Sequence, residues 1–410
     1  MSEHTPTQTE AWPATGTETL RWVYDPHDPR IPRQLLKRVK PTYEAALPPM
    51  IAEREVAIPA ELGARLDGVM ASLVRFDEAQ RARGYHLPAL LLRSESSCSS
   101  QIERLTSSVR DVALAELSPS APANAKLIAG NVRAMRAALD AGLKESIGVD
   151  DILAVHRALM DSAGLDFAGQ VRAEQVWIGG TNISPHGAVY VPPHHSHLPA
   201  YLDDLAAWAA RDDLNPIVHA AVLHAQLESV HPFVDGNGRT GRALVHSLLR
   251  RDGVLANATL PVSAGLLHDV GSYMAALARY QQGDPVAVVR QLADALEVAV
   301  VVGRTLAAQI DEVLARWAEA TTDRADAAIH RLPALLVEQP VVSIAYVAEG
   351  LGVSGRTATT AVARAVELGI LSPMGSRRRG GYYEARELLD VLERASSAEG
   401  LRRLVPGHAG

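Results

Sequence analysis

Residues 231–242 read HPFVDGNGRTGR, and this stretch decides how the rest of the chain is interpreted. Its twelve positions hold a histidine, an aspartate, three glycines and two arginines. A core helix has no use for that mixture, and a solvent loop rarely follows a Pro-Phe-Val run. The stretch therefore predicts a functional site rather than a purely structural element.

The histidine of this stretch is predicted to stand at the end of a helix. Asn215-Pro216 is typical of a helix start, because asparagine caps the first turn and proline fits within it. That helix is expected to run through Val230, and Pro232 then ends it. His231 would leave the helix at a sharp exit, where an imidazole can take a proton from an incoming hydroxyl.

The glycines and arginines that follow predict a phosphate site. Gly236-Asn237-Gly238 allows positive φ angles and can direct successive N–H groups toward one point, an arrangement that binds anions. A helix beginning near Arg239 would add its positive dipole end, and Arg239 and Arg242 would share one face. Asp235 supplies the hard oxygen ligand that Mg²⁺ on a polyphosphate requires. From the residues alone, we infer nucleotide-phosphate chemistry.

The stretch resembles the signature of the Fic domain family, His-Pro-Phe-x-Asp-Gly-Asn-Gly-Arg-x-x-Arg, which residues 231–242 fill at every specified position. The likeness extends to Gly169-x-x-Arg172, to Trp177–Gly180 and to Tyr190–Pro193, within a region spanning residues 40–310. It implies a mainly α fold, with a helical Fic core and a short β-hairpin flap.

The resemblance also implies an enzyme, a protein adenylyltransferase with ATP and Mg²⁺ as cofactors. Such an enzyme transfers AMP to a Ser, Thr or Tyr hydroxyl of a target protein and releases pyrophosphate. His231 would deprotonate the target, and Asp235 would hold Mg²⁺. Arg239 would neutralise the leaving diphosphate, and Arg242 would hold the γ-phosphate. Gly238 favours adenylyl over phosphoryl transfer, because kinase-like relatives carry lysine there. The implied nucleotide-binding residues are Gly236, Asn237, Gly238, Arg239, Gly241 and Arg242.

A flap is predicted on the amino-terminal side of the motif. Two β-rich runs, 176–180 and 187–193, flank a polar loop at 181–186, which predicts a hairpin with an exposed edge. Such an edge can add an extended segment of the target as another strand and present its hydroxyl. The alternative is a hydrophobic hairpin that only covers the core. The predicted target-docking residues are Gly187, Ala188, Val189, Tyr190 and Val191.

A serine-rich run predicts a control element. Residues 94–105 are expected to form a short helix with Ser99 near its start, because serine favours helix caps over helix interiors. The run resembles the inhibitory helix of Fic proteins, in which the glutamate, here Glu103, pairs with the second motif arginine, here Arg242. Arg104 departs from the glycine or asparagine usual at its position. The alternatives for Glu103 are a solvated helix residue and a carboxylate that positions water to remove AMP.

Composition restricts the remaining classes. The 410 residues are 47% hydrophobic but only 4% aromatic and include one cysteine, which predicts a mainly helical chain without an intrachain disulfide. A net charge of −7 argues against a polyanion binder as a whole. The first residues lack the pattern of a signal peptide, and no apolar run is long enough to cross a bilayer. We expect a cytoplasmic protein without membrane contact; self-modification and a homodimer remain open.

Four regions are predicted along the chain. They are a disordered N-terminus at 1–20, an N-terminal extended segment and helices at 21–125 that include the inhibitory helix 94–105, a Fic catalytic core at 126–320, and a winged helix-turn-helix domain at 325–400.

The last region rests on a helix-turn-helix pattern. Residues 344–351 and 355–368 are expected to be helices separated by a three-residue break that contains glycine. Strands at 370–371 and 381–383 would then flank a basic wing at 376–380.

Basic side chains in this region suggest DNA contact. They are Arg356, Arg364 and residues 377–379. However, the helix at 355–368 carries few long base-reading side chains, so target docking or dimerisation is favoured over DNA binding. The rival interpretation of the whole chain is a DNA-binding regulator whose Fic core senses nucleotide.

Overall fold

The computed structural model describes residues 11–24, 39–81, 83, 87–161, 165–181, 183–375 and 381–405. Three predicted features lie outside these residues: the first half of the disordered N-terminus, Asn182 of the flap loop, and the basic wing at 376–380.

The described residues fold mainly into α-helices, as predicted. Those in the first half of the chain are α1 (Ala60–Arg81), α2 (Pro88–Ile102), α3 (Val109–Ala115), α4 (Ala123–Ala141), α5 (Val149–Met160), α6 (Leu198–Ala209) and α7 (Pro216–Val230). Those that follow are α8 (Asn237–Arg251), α9 (Val262–His268), α10 (Val270–Gln281), α11 (Pro285–Ala320), α12 (Leu332–Glu338), α13 (Ile344–Leu351), α14 (Gly355–Glu367), α15 (Arg386–Ala395) and α16 (Ala398–Leu404). None of the described helices combines the length and the apolar content that a bilayer crossing requires.

The strands form two small antiparallel sheets. β1 (Gly16–Arg21) pairs with β2 (Thr42–Leu47). In the second sheet β5 (Tyr382–Glu384) lies between β3 (Val341–Ser343) and β4 (Ser372–Met374).

The prediction of disorder through residue 20 is wrong for the described part of that segment. β1 begins at Gly16, and the ring of Trp12 lies 6.5 Å from that of Trp208 and 5.9 Å from that of Tyr280. Packing one large aromatic side chain against two others offsets the entropy lost on ordering a polar segment. The prediction relied on the polar composition of the segment, and an average composition does not show the contribution of one tryptophan.

The helix that leads into the motif lies at the centre of the fold. α7 begins where it was predicted, with the Asn215 side chain accepting a hydrogen bond from the Ile217 N–H at 3.0 Å and Pro216 in the first turn. Nearly all of its residues are buried, because α6, α8 and α11 pack around it. The end of α7, and therefore His231, has a fixed position within the core.

The helix that carries Ser99 begins earlier than predicted. α2 starts at Pro88, so Ser99 lies in its last turn rather than near its start, and Glu103 follows as the C-cap. All residues from Ala89 to Ser100 are buried. The burial of a whole helix outweighs the weak helix propensity of a few serines. One of them, Ser94, donates its hydroxyl to a backbone carbonyl 3.1 Å away.

The chain after α11 forms a C-terminal unit, the described residues of 321–405. α13 and α14 agree with the predicted helix pair to within one residue, and the turn between them contains Gly352 at φ 63°. The strand predicted at 370–371 lies at 372–374 instead. Ile370 and Leu371 are almost fully buried, so their apolar side chains enter the core rather than the exposed hairpin.

The C-terminal unit packs against α2. Arg93 donates to the Glu338 carbonyl at 2.6 Å, and the Gln101 amide donates to the Ser396 carbonyl. The two contacts lie in the second turn and the last turn of α2, the helix that presents Ser99 and Glu103.

Arg104 ends α2 in a conformation that glycine would adopt more easily. Its φ is 64°, in the left-handed region that costs a residue with a Cβ about 1–2 kcal/mol. We expect Arg104→Gly to raise the free energy of unfolding by about 0.5–1 kcal/mol, since glycine loses more entropy on folding but removes the clash. Chemical denaturation measures the change. Arg104→Ala keeps the Cβ and should show no gain; an equal gain from both variants would contradict this explanation.

Candidate active site

His231 lies at the sharp exit that Pro232 predicted. Its φ and ψ are 50° and 60°, a left-handed conformation, and its N–H closes α7 by donating to the Leu227 carbonyl at 2.8 Å. The His231 carbonyl accepts a hydrogen bond from Arg172 Nε at 2.8 Å. Arg172 belongs to the Gly169-x-x-Arg172 pattern, and its other nitrogens donate to carbonyls near the flap. It therefore ties the base of the flap to the histidine.

The His231 ring is arranged to accept a proton. Burial lowers the pKa of His231 to about 4, while a hydrogen bond to the Glu228 carbonyl opposes the shift. The ring is therefore neutral near pH 7. Its Nδ1 lies 3.3 Å from that carbonyl, which can only accept, so Nδ1 carries the hydrogen and Nε2 keeps its lone pair.

The loop after His231 is closed by the side chain of Asn237. Its Oδ1 accepts from the Phe233 N–H at 2.9 Å, and its Nδ2 donates to the Phe233 carbonyl at 2.9 Å. Both atoms of the amide thus hold the loop, and the second N–H of Nδ2 and the backbone remain for the phosphate contact that the sequence predicted.

A buried histidine that the sequence did not single out supports the same loop. The His156 ring stacks on Phe233 at 3.8 Å, and its Nε2 lies 3.1 Å from the Asp235 carbonyl. Its Nδ1 accepts a hydrogen bond from the Gly169 N–H at 3.0 Å, so the proton is on Nε2. The residues near His156 in the chain do not predict this role, because Phe233 and Asp235 are distant from it in sequence.

The residues predicted to bind an anion lie at the start of α8. Gly236 has a φ of 79° and is the N-cap of α8, which starts at Asn237, two residues earlier than expected. A Cβ on Gly236 would lie 2.3 Å from the Met160 side chain, so both the conformation and the space require glycine. The N–H groups of the first turn of α8 have no partners within the helix and face the motif loop.

Asp235 can hold a magnesium ion together with phosphate. Its side chain is 61% exposed, its Oδ1 accepts from the Gly236 N–H at 2.6 Å, and Arg239 Nη2 lies 3.3 Å away. Among the described residues, no group of three or more His, Cys, Asp or Glu side chains could hold a metal ion. A single exposed carboxylate fits Mg²⁺ that keeps waters and shares phosphate oxygens, rather than a protein cage.

Glu103 occupies the arginines of the motif. One carboxylate oxygen lies 2.8 Å from Arg242 Nη2, and the other lies 2.5 Å from Arg239 Nε. The sequence predicted only the first of these contacts. Ser99 adds two more, since its hydroxyl and its carbonyl each accept from Arg242 at 2.9 Å. Both arginines are 3% exposed, so Glu103 and Ser99 are brought together with them in a nearly dry environment.

Two motif glycines have different neighbours. A Cβ on Gly238 would lie 2.7 Å from Glu103 Oε1 and 2.8 Å from Arg242 Nη1, so this glycine borders the ionic cluster. A Cβ on Gly241 would instead lie 2.6 Å from His224 on α7. The absence of a side chain at Gly241 therefore allows α8 to pack closely on α7, and nucleotide binding by this glycine stays a prediction.

The flap is less regular than predicted. The described residues of 176–193 contain a single antiparallel bridge, between Ile178 and Tyr190, rather than a full hairpin. The Val191 carbonyl accepts from the Ala46 N–H of β2 at 2.9 Å, so part of the expected free edge is covered by the chain itself. Val189 nevertheless has 85% of its surface exposed.

These groups line one cleft of about 660 Å³. His231, Asp235 and the motif arginines lie on one wall, and Ile178 and Val189 of the flap lie on another. The lining residues that were not predicted as site residues include Tyr273 on α10 and Glu228 on the last turn of α7. The cleft therefore combines a neutral histidine, two buried arginines and an apolar entrance.

Residues 146–249 match the model of the Fic/DOC family. This part of the chain is a Fic domain. The protein adenylyltransferase fic-1 of Caenorhabditis elegans is 37% identical over 110 residues, 27% of this chain and 20% of that protein. The protein adenylyltransferase Fic of Nematostella vectensis is 37% identical over 112 residues, 27% of this chain and 24% of its own length.

The likeness in three dimensions extends beyond the Fic domain. A Fic family protein from Desulfovibrio desulfuricans G20 superposes with a TM-score of 0.52 at 22% identity, covering 81% of this chain and 97% of that one. At this identity the likeness shows the fold alone. The chain spans only a fifth to a quarter of the length of the curated relatives, and the likeness in sequence covers about a quarter of this chain.

The amide of Asn237 should matter for stability as well as for the site. We expect Asn237→Asp to lower the free energy of unfolding by about 1–3 kcal/mol, because a carboxylate cannot donate to the buried Phe233 carbonyl. Thermal unfolding measures the loss. Asn124→Asp, at an exposed amide, serves as the matched control and should change stability by less than about 0.5 kcal/mol. Equal stability of the two variants would show that the amide does not hold the loop.

Proposed function

We propose that the chain is a protein adenylyltransferase that moves AMP from ATP to a Ser, Thr or Tyr hydroxyl of a target protein. The observation that carries this proposal is the cleft in which His231, as a neutral base, faces the first turn of α8 and its two buried arginines. The names of the relatives that match the Fic domain, both protein adenylyltransferases, support the same activity.

The residues divide the reaction between them. His231 Nε2 accepts the hydroxyl proton, the hydroxyl oxygen bonds to the α-phosphorus, and the bond from that phosphorus to the bridging oxygen breaks to release pyrophosphate. Asp235 would hold the Mg²⁺ that offsets phosphate charge when bound. The α8 amides and Arg239 would bind the phosphates near the breaking bond, and Arg242 would bind the γ-phosphate.

We further propose that Glu103 inhibits the enzyme. An arginine that pairs with a carboxylate cannot also bind a phosphate, and Glu103 pairs with both motif arginines. The contact to Arg239 extends the inhibition from the γ-phosphate to the leaving diphosphate. Removal of AMP by a water that Glu103 positions is a second candidate, supported by the position of the carboxylate at the wall of the cleft.

The flap is proposed to dock the target. Ile178 and Val189 expose apolar side chains at the entrance of the cleft. Because β2 covers part of the segment at Val191, the outer side of residues 177–179 is the open edge for an added strand.

The C-terminal unit is proposed to be a winged helix-turn-helix domain that docks proteins rather than DNA. Its helix pair followed by the β4–β5 hairpin supports the winged assignment. Arg364 pairs with Asp323 at 3.1 Å and with Glu367 at 3.0 Å. That pairing takes a basic residue away from any DNA contact and counts against the DNA-binding regulator.

Incubation with ATP labelled on the α-phosphate tests the activity. We expect labelled protein with the wild type, no label with His231→Ala, and about 10- to 100-fold more label with Glu103→Gly, because a charged hydrogen bond to Arg242 is lost. Glu145→Gly removes an exposed carboxylate elsewhere and should behave as the wild type. Nucleotide binding without any transfer in these proteins would favour the nucleotide-sensing regulator instead.

Release of AMP from a protein that has already been labelled tests the second candidate. If Glu103 positions water, Glu103→Ala should lose AMP removal while it gains transfer. Unchanged removal in that variant would discard this direction.

The flap is tested by placing a charge at its exposed position. We expect Val189→Asp to lower labelling of target proteins by about tenfold or more, since a carboxylate at a buried docking contact loses its hydration. Nucleotide binding, followed by calorimetry, should be unchanged because Val189 does not contact the arginines. Glu174→Gln, which also alters charge near the flap base, should leave both readouts unaffected; a loss of nucleotide binding by Val189→Asp would refute a docking role.

A further inference from the structure

Glu228 is a buried carboxylate between the base and the motif arginine. Its Oε2 lies 3.9 Å from His231 Nδ1, and its Oε1 lies 4.0 Å from Arg242 Nη1. The Tyr273 hydroxyl is 3.5 Å from Oε1. The side chain is 15% exposed and lines the catalytic cleft. The reaction as described above gives it no role.

The charged groups around Glu228 come from every element packed against it. Arg242 approaches from α8 and Glu103 from the end of α2, while Tyr273 faces it from α10. Burial raises the pKa of Glu228 to about 7; Arg242 and Tyr273 oppose this shift and Glu103 adds to it. On its own helix the neighbouring groups are His231 and His224, whose ring bonds to the Tyr273 hydroxyl at 2.8 Å.

His231 has a difficulty that Glu228 can relieve. Burial disfavours the imidazolium, which must form at the moment the target hydroxyl loses its proton. Arg172 adds further positive charge nearby. A base in such a site works well only if a negative charge close to the ring stabilises the proton as it arrives. The carboxylate at 3.9 Å from Nδ1 is suitably placed, on the side of the ring away from the reacting Nε2.

We propose that Glu228 is a positioning residue for His231: its carboxylate stabilises the imidazolium and its backbone carbonyl fixes the reactive tautomer. The inference rests on the proposed transfer activity. The proton moves from the target hydroxyl to Nε2 while the oxygen bonds to the α-phosphorus and pyrophosphate leaves. The Glu228 side chain takes up no proton in this step and acts through its charge.

Glu228→Gln tests the charge while it keeps the shape of the side chain. Full-length Glu228→Gln is compared with the wild type in AMP transfer, and the same change is repeated in the Glu103→Gly background. We expect kcat to fall by about 10- to 100-fold, part of what general-base catalysis contributes. The KM for ATP should not rise, because glutamine repels phosphate less than glutamate does. Glu319→Gln, at an exposed position, is the control and should match the wild type.

The pH profile separates a charge effect from a packing defect. Glu228 is ionised above its pKa, so wild-type kcat should rise as pH increases through about 7. Glu228→Gln should lack that rise, and Glu228→Asp should restore part of it. An unchanged kcat and pH profile in Glu228→Gln would overturn the proposal. A gain in activity would also overturn it, and would assign Glu228 to Arg242 as a second competitor of the γ-phosphate.

Nuclear magnetic resonance decides the point without any turnover. The ring signals of His231, identified by their loss in His231→Ala, should shift with a midpoint near pH 7 in the wild type and not in Glu228→Gln. Identical His231 signals in both proteins would overturn the inference. If no protein in the series transfers AMP, the proposed function fails, and the resonance result alone decides whether Glu228 acts on His231.

Discussion

The buried guanidinium of Arg242 must have an anion beside it. Its side chain is 3% exposed, and a buried charge left without a partner would cost several kcal/mol. In the described arrangement that anion is Glu103, assisted by two hydrogen bonds to Ser99. Under the proposed function the γ-phosphate takes its place. The two states therefore exchange one anion for another rather than expose a bare charge, and this exchange makes the site both stable when closed and competent when open.

The exchange has a natural location at the end of α2. The body of that helix is held firmly: buried Glu95 accepts from the Ser263 N–H at 2.7 Å, and Arg93 and Gln101 bond to carbonyls of the C-terminal unit. Glu103, by contrast, is the C-cap, and Arg104 follows it in the left-handed conformation. Under the proposed inhibition, movement of the Glu103 carboxylate alone would free both motif arginines.

Two carboxylates meet the same arginine with different consequences. Glu103 reaches Arg242 from a helix end and is 25% exposed. Glu228 projects from the last turn of α7, a helix that is buried along nearly all of its length. It borders both Arg242 and His231, and its charge affects the arginine that would bind phosphate and the histidine that would take the proton. The cleft thus holds one carboxylate at the partly exposed end of a helix, Glu103, and one on a buried helix, Glu228.

The sequence by itself determined the helical class, the start and end of α7, the sharp exit at His231 and the freedom for positive φ in the glycine run at 236–238. Each of these follows from composition or from residues close together in the chain, where local propensity and spacing suffice. The pairing of Glu103 with Arg242 was predicted from the resemblance of residues 99–103 to the inhibitory helix of Fic proteins. Tertiary structure decided that α2 begins at Pro88, that Trp12 orders the N-terminal segment, and that Gly241 serves packing. It also decided the contacts of His156, Tyr273 and Glu228 with the site. These features depend on contacts with residues that are distant in the chain. The free energy of such packing exceeds the helix and turn propensities on which a local sequence pattern is based.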